Sequence, residues 1–170
     1  MRNAPLRQSN LLLNLLLGWF LVHPWTVAAA DASLADAQRL DGLFPKSTLT
    51  IATPDARVHP FNIWVADDDA HRQLGLMYVK EMADDAGMLF IYPKAQAISM
   101  WMKNTVLSLD MLFVAADGRI ANVVENTTPQ STKIINSKGP VVGVIELKAG
   151  MAAKLHIRAG AIVSHPAFGS

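Results

Sequence analysis

The sequence contains no cysteine and almost no excess of either charge. Without cysteine, a disulfide-stabilised scaffold, a cysteine-ligated zinc site, a thiol nucleophile and a cysteine-linked lipid anchor are all excluded. The 170 residues carry 15 Lys and Arg against 14 Asp and Glu, which gives a formal net charge of +1. Because nucleic-acid-binding domains usually show a marked basic excess, no nucleic-acid partner is expected.

The chain also lacks the motifs of several common enzyme classes. It has no G-x-S-x-G elbow, no H-E-x-x-H pair, no P-loop and no G-x-G-x-x-G turn. None of its five histidines is followed by another four residues later. The sequence therefore predicts no cofactor and no metal site. Whether the protein is an enzyme stays open, with a non-enzymatic role preferred.

The first thirty residues have the composition of a cleavable secretory signal. Arg2 and Arg7 precede an apolar run over residues 11–22, and small residues follow at 27–30. This order predicts export to the periplasm or the medium, with cleavage after Ala30 and Asp31 as the new N-terminus. An uncleaved membrane anchor is the alternative, but the apolar run is shorter than the ~20 residues of a membrane span.

Cleavage would change the balance of charge. It would leave 140 residues with 13 basic and 14 acidic side chains, because Arg2 and Arg7 leave with the signal. No stable membrane insertion is expected after cleavage.

The remainder is predicted to be a polar leader arm over residues 31–47 and one domain over residues 48–170. Apolar runs predict strands over residues 49–52, 61–65, 88–92, 98–102, 109–114, 120–125, 141–147 and 161–164. A short helix is expected over residues 70–76, and a short helix or a turn over residues 149–157. Asp117-Gly118 predicts a β-hairpin between two of the strands. The fold class is therefore α+β, mainly β, with a mixed sheet and two short helices.

Four short motifs follow one another along this predicted domain. They are Gly75-Leu76-Met77, Gly87-Met88-Leu89-Phe90, the stretch MWMKNT at 100–105 with Leu109-Asp110, and IELKAG at 145–150. Together they resemble the DUF192 family of small, mostly exported bacterial and archaeal proteins, over about residues 48–164. The resemblance implies a compact, barrel-like domain and no established activity. Ser108 stands where members commonly have Pro, and Ala161 stands where they commonly have Asp.

Three charged side chains interrupt apolar strands: Lys103, Asp110 and Glu146. A carboxylate among apolar residues is costly to bury without a partner, and Lys103 and Arg72 are the available cations. The preferred interpretation is an ion-pair network that fixes the sheet register. The alternatives are a ligand pocket with perturbed pKa values, or a hydrolase in which Asp110 and Glu146 act as acid and base.

Polar and aromatic residues near Lys103 also have two interpretations. Asn104 and Thr105 follow a predicted strand, where they either form a turn or contact a ligand. Trp101, Tyr92 and Trp64 either form a sugar-stacking platform or pack in the core, which is the commoner arrangement.

Six of the eight methionines lie between residues 77 and 111. Met100 and Met102, on one strand face, can bind Cu(I) through their thioethers if a histidine joins them. His59 and His71 show no ligand spacing to this pair, so core packing is the preferred interpretation.

Three functional hypotheses follow. The first is a non-enzymatic cell-envelope module that binds a small ligand or a glycan. The second is a glycosidase-like hydrolase that uses Asp110 and Glu146, and the third is a structural or interaction domain with no small-molecule site. The ligand-binding candidates are Lys103, Asn104, Thr105, Asp110, Glu146, Arg72 and Trp101.

Overall fold

The computed structural model describes residues 24–169, so most of the predicted signal lies outside the described residues. In chain order the elements are α1 (Pro24–Leu43), β1 (Lys46–Ala52), β2 (Val58–Ala66), α2 (Asp69–Leu74), β3 (Ala86–Gln96), β4 (Ser99–Met100), β5 (Leu109–Val114), β6 (Ile120–Val124), β7 (Ile135–Asn136), β8 (Val141–Lys148), α3 (Met151–Lys154) and β9 (Ile162–Ser164). No helix in this part of the chain is long and apolar enough to span a membrane.

Seven strands form one mixed sheet in the order β6-β5-β8-β3-β2-β1-β9, while β4 and β7 form a small second sheet. Only β2 and β3 pair in parallel, and α2 lies in the connection between them. The two edges of the large sheet meet, because Ile120 N donates to Ala161 O at 2.9 Å and Val163 N to Gly118 O at 2.8 Å. The predicted mainly β, barrel-like fold class is confirmed.

The curved sheet separates two apolar clusters. The inner cluster packs side chains from eight elements, and its members include Leu49, Phe61, Leu89, Leu112, Ile120, Ile145, Met151 and Val163. The outer cluster lies on the opposite face, where α1, the segment after α2 and the β4–β7 sheet cover it. Its members include Leu40, Phe44, Trp64, Met88, Phe90, Met102, Met111 and Phe113. Both faces of the central strands are therefore buried.

Helix α1 is the main difference from the sequence-based expectation. Residues 31–43 of the expected polar arm belong to this helix, and Leu40 and Phe44 are buried in the outer cluster. Ala37 packs against the same cluster. Ala37 and Leu40 lie on one face of α1, and Phe44, just after the helix, continues this short apolar stripe at the same spacing. Such a stripe is too short to stand out within a polar, alanine-rich sequence.

Local signals in the sequence correspond closely to the elements observed. Asp68 caps α2 by accepting a hydrogen bond from His71 N at 2.8 Å, and Gly75 follows the helix with a positive φ of 48°. The predicted hairpin at Asp117-Gly118 is confirmed, with Gly118 at φ 80° between β5 and β6. Glycine tolerates these positive-φ backbone conformations because it has no side chain.

Candidate functional site: a cavity beside a buried glutamate

The register of the central strands places Asp110 and Glu146 on opposite faces of the sheet. Glu146 in β8 pairs with Met111 in β5, so Asp110 pairs with Leu147 instead. Because successive side chains of a strand point to opposite faces, Asp110 faces the inner cluster and Glu146 the outer one. The acid–base pair that the hydrolase hypothesis requires is not formed.

Asp110 is fully buried and its carboxylate is satisfied by backbone amides. Oδ1 accepts a hydrogen bond from Asn126 N at 2.9 Å, and Oδ2 accepts one from Ala152 N at 2.8 Å. Ala152 lies in the first turn of α3, where backbone N–H groups lack partners within the helix. Asp110 therefore joins β5 to the loop after β6 and to α3, which is a structural role.

Glu146 lies in the middle of an apolar row that crosses the sheet. Its neighbours in β3 and β5 are Met88 and Met111, and the row continues to Trp64 in β2 and Val124 in β6. The residue is only 4% exposed. Burial raises the pKa of its carboxyl to about 8, and no hydrogen bond or charge among the described residues offsets that burial. The carboxyl is thus mostly protonated at neutral pH.

The ion pair expected from the sequence is not formed at Glu146. Lys103 is exposed, and its Nζ lies 5.5 Å from the centroid of the Trp101 ring. Arg72 instead forms an ion pair with Asp69 at 2.6 Å. Neither cation neutralises the glutamate.

A cavity of about 320 Å³ opens beside Glu146 on the outer face of the sheet. Its walls come from α2 and the residues that follow it, from β3, and from the segment 99–105. Five of the seven ligand-binding candidates line it, namely Arg72, Trp101, Lys103, Thr105 and Glu146. Asn104 lines an adjoining depression together with Tyr78. The structure thus brings together most of the residues that the sequence singled out.

Arg72 is held at one side of the cavity by several contacts. Its guanidinium donates to the carbonyl oxygen of Asp67, and to that of Ile91 at 2.7 Å. Its Cζ lies 5.4 Å from the centroid of the Tyr92 ring. Burial raises the pKa of the Tyr92 phenol, the charge of Arg72 opposes this shift, and Glu146 adds to it. Tyr92 therefore lies near both Arg72 and Glu146.

Asn104 and Thr105, for which the sequence left turn formation and ligand contact open, have different surroundings in the structure. Asn104 has a positive φ of 59°, and its carbonyl oxygen accepts a hydrogen bond from Tyr78 N at 2.9 Å. Asn104 therefore shapes the turn. Thr105 is buried, and its backbone N–H donates to Met102 O at 3.0 Å while its side chain borders the cavity.

The three aromatic residues do not form one platform. Trp101 is 47% exposed at the cavity, and Tyr92 lines the same cavity. Trp64 is buried in the outer cluster, and its Nε1 donates to Asp41 Oδ1 at 2.8 Å. A stacking surface for a ligand is thus limited to Trp101 and Tyr92.

Most of the clustered methionines pack in the core. Buried members of the outer cluster are Met82, Met88, Met102 and Met111, which confirms core packing for these four. Met77 and Met100 line the cavity, and the Tyr92 hydroxyl donates to Met100 Sδ at 3.6 Å. No histidine of the described chain lines the cavity beside these thioethers.

Two other polar groups have structural explanations. Asp67, Asp68 and His71 lie close enough to hold a metal ion, but Asp68 already caps α2 and contacts His71 Nδ1 at 2.8 Å. Elsewhere, His165 Nε2 lies 3.1 Å from Ser47 Oγ.

The His165 Nδ1 atom accepts a hydrogen bond from Ala167 N at 3.1 Å, and burial lowers the pKa of the imidazole. In the neutral ring the proton then resides on Nε2, which donates to Ser47. This direction is the reverse of what activation of a serine nucleophile needs.

Sequence reasoning missed the apolar part of the cavity, which is formed by Leu74, Gly75, Leu76, Met77, Phe90 and Ile134. The first two motifs of the family resemblance contain most of these residues, so a signal was present. A Cβ at Gly75 would lie 3.0 Å from Phe90 Cζ, which is tighter than ordinary contact. Ile134 lies in a polar loop that gave no such signal.

A small, mainly β domain whose closed sheet carries a side cavity is the class of protein that this geometry defines. The chain belongs to the DUF192 family, described as "Uncharacterized ACR, COG1430", whose model matches residues 50–165. A comparison with curated proteins finds no match.

Solved structures of other proteins resemble the chain, and two of them show the following similarity. A proposed transcription regulator from Sinorhizobium meliloti 1021 is 40% identical, with a TM-score of 0.72, over 74% of this chain and 97% of the other. A protein of unknown function from Novosphingobium aromaticivorans DSM 12444 is 32% identical, with a TM-score of 0.68, over 71% and 85%.

Replacement of Asp110 by Asn should destabilise the fold. The amide retains the shape but loses one acceptor, so a buried backbone N–H of Asn126 or Ala152 faces an NH₂ group. We expect the free energy of unfolding in urea to fall by about 2–3 kcal/mol. Asp117→Asn, in an exposed turn, should cost less than about 1 kcal/mol. Equal losses for the two variants would contradict the structural role of Asp110.

Replacement of Glu146 by Gln should change how stability depends on pH. Glutamate ordinarily has a pKa of 4.5, whereas the folded protein retains this proton up to about pH 8. Between these values the unfolded chain binds fewer protons, so wild-type stability falls as pH rises, by at most about 1.4 kcal/mol per pH unit. Above the folded pKa the loss levels off.

Gln does not titrate, so the stability of Glu146→Gln relative to wild type should rise by a few kcal/mol between about pH 5 and pH 8. Chemical denaturation at several pH values measures this difference. The exposed Glu125, changed to Gln, serves as the control and should track the wild type. A pH-independent difference for Glu146→Gln would show that its carboxyl is not buried as described.

Proposed function

We propose that the protein is a non-enzymatic binding module of the cell envelope, and that it holds a small ligand or the end of a glycan in the cavity beside Glu146. The observation that carries this proposal is the glutamate itself. A carboxyl group buried among methionines, with no partner in the described chain, is costly for the free protein. Because Glu146 lines the cavity, a ligand bound there can supply the missing partner.

The cavity has the size and mixed chemistry of a small-molecule site. Its volume is close to the lower end of the ~300–1,000 Å³ usual for ligand pockets. Apolar side chains such as Phe90 and Met77 form part of the wall, and polar groups of Arg72, Thr105 and Glu146 point to a few specific hydrogen bonds. Trp101 adds an aromatic surface on which a ring or a methylene chain can stack.

Other functions have less support. A hydrolase built on Asp110 and Glu146 is disfavoured, because the two carboxyl groups face opposite sides of the sheet. The S. meliloti relative is described as a proposed transcription regulator. For this chain, the near balance of basic and acidic residues speaks against a DNA-binding role. A purely structural domain would leave the unpartnered Glu146 unexplained.

Ligand binding should depend on Glu146 and Trp101. We expect at least one member of a panel of monosaccharides, amino acids, amines and short carboxylates to bind with 1:1 stoichiometry in isothermal titration calorimetry. Glu146→Gln should change its affinity by about tenfold, because one hydrogen bond or charge contact of 1.4 kcal/mol is altered. Trp101→Ala should weaken it and abolish any ligand-induced change in the fluorescence of that residue.

Two control variants separate this cavity from the rest of the surface. Glu125→Gln changes an exposed carboxyl, and Lys133→Ala changes a second depression that Met102 and Asn126 also line. Both should leave the affinity within about twofold of the wild type. Binding that Lys133→Ala or Glu125→Gln affects, and that Glu146→Gln does not, would move the site to this second depression, which both control residues line. Failure of the whole panel at millimolar concentration would favour the structural alternative.

Export of the protein is the second part of the proposal. The N-terminal sequence pattern supports it, and the first buried core residue of the described chain is Leu40, so removal of residues 1–30 would leave the core intact. We expect the purified exported protein to begin at Asp31 in N-terminal sequencing, and cell fractionation to recover it outside the cytoplasm. A protein that retains Met1 and fractionates with the cytoplasm would contradict this part.

A further inference from the structure

The cavity contains two charge-bearing groups of opposite type that do not pair with each other. Glu146 lies at its inner end, almost fully buried, with no partner among the described residues. Lys103 is exposed at its rim, and it forms no ion pair with any residue in the described part of the chain. The contact recorded for its Nζ is the 5.5 Å approach to the Trp101 ring.

The other charged and titratable groups near Glu146 are already engaged. From α2, Arg72 is bound by Asp69 and by two carbonyl oxygens. From β3, the Tyr92 hydroxyl donates a hydrogen bond to Met100 Sδ. From β5, the acidic residue Asp110 faces the other side of the sheet.

Further along β8, Lys148 Nζ forms an ion pair with Asp84 Oδ1 at 3.0 Å. A ligand in the cavity therefore meets Glu146 and Lys103 as the groups that still lack an ionic partner.

We infer that the cavity binds a small zwitterion, with its positively charged group at Glu146 and its anionic group at Lys103. This inference rests on the proposed binding function and specifies its ligand class. A simple anion would leave Glu146 without a partner. A simple cation would satisfy Glu146 but would be repelled by Arg72 and Lys103, whereas a zwitterion matches both ends.

The remaining walls fit such a molecule. Phe90, Tyr92 and Trp101 line the same cavity, and aromatic side chains can contact methylene groups and attract an ammonium group. A cavity of about 320 Å³ holds an unbranched chain of a few carbon atoms. We therefore expect an amino acid or a related amine-carboxylate, and not a long peptide.

Binding of a positive group at Glu146 should expel the proton that this carboxyl holds in the free protein. With a pKa of about 8, the deprotonated form is the minor one at neutral pH. The apparent affinity for a zwitterion should therefore rise about tenfold from pH 6 to pH 7, and then level off above pH 8. A neutral ligand that accepts the carboxyl proton in a hydrogen bond would show the opposite trend.

Four probes of similar size test the inference by calorimetry on the full chain: 5-aminopentanoate, pentylamine, pentanoate and glucose. We expect 5-aminopentanoate to bind at least tenfold more tightly than the other three. Repeating the titration in buffers of different ionisation enthalpy should show about one proton released at pH 7. This proton count is measured on the wild type, so it does not depend on how well a variant folds.

Two variants locate the charged ends. Glu146→Gln should abolish both the proton release and the pH dependence. Lys103→Met retains an apolar side chain of similar length, and it should remove the preference for 5-aminopentanoate over pentylamine. Matched changes outside the cavity, Glu125→Gln and Lys133→Met, should leave both properties unchanged.

The outcomes separate this inference from the proposed function. If pentylamine, pentanoate or glucose binds as tightly as 5-aminopentanoate and Glu146→Gln alters that binding, the cavity is a ligand site but the zwitterion is wrong. If none of the four probes binds, the inferred zwitterionic ligand class is again wrong. The wider panel of small molecules then tests whether the cavity binds a ligand at all. If 5-aminopentanoate binds but neither Glu146→Gln nor Trp101→Ala affects it, both proposals are wrong.

Discussion

The alternation of side chains across β5, β8 and β3 is the constraint on which the site depends. These strands are buried on both faces, so each residue must face either the inner cluster or the outer one. A shift of one residue in any pairing would exchange the two faces along the whole strand. In the observed register, Asp110 lies on the inner face and Glu146 on the outer face. Glu146 therefore borders the cavity, which opens on the outer face.

The two buried carboxyl groups meet the cost of burial in different ways. Asp110 accepts hydrogen bonds from two backbone amides, which offset the loss of water and connect three separate segments. Glu146 has no such donor in the described chain, and it retains a proton because the charged form is poorly solvated there. The hydrogen bonds of Asp110 stabilise the fold, whereas the Glu146 carboxyl still lacks a hydrogen-bonding or ionic partner.

The sequence predicted most strands of the large sheet because their signals are local, whereas β7 lies in a segment expected to be a polar loop. Apolar runs, the Asp117-Gly118 turn and the cap at Asp68 each depend on neighbouring residues alone. The lack of a partner at Glu146 could not be predicted in this way, because it depends on contacts between residues that are distant in the sequence. The actual contacts of Lys103 and Arg72, with Trp101 and with Asp69, depend on how the loop and α2 pack on the sheet.

The position of Lys103 decides whether the cavity stays open to a ligand. A direct ion pair with Glu146 would satisfy the carboxyl and place a flexible side chain across the space that a ligand needs. The turn at Asn104, which Tyr78 N holds through a backbone hydrogen bond, supports the segment that carries Lys103. The contact with the Trp101 ring then stabilises the ammonium group at the rim. The glutamate therefore lacks an internal counter-ion because of the loop geometry, although a suitable cation lies in the lining of the same cavity.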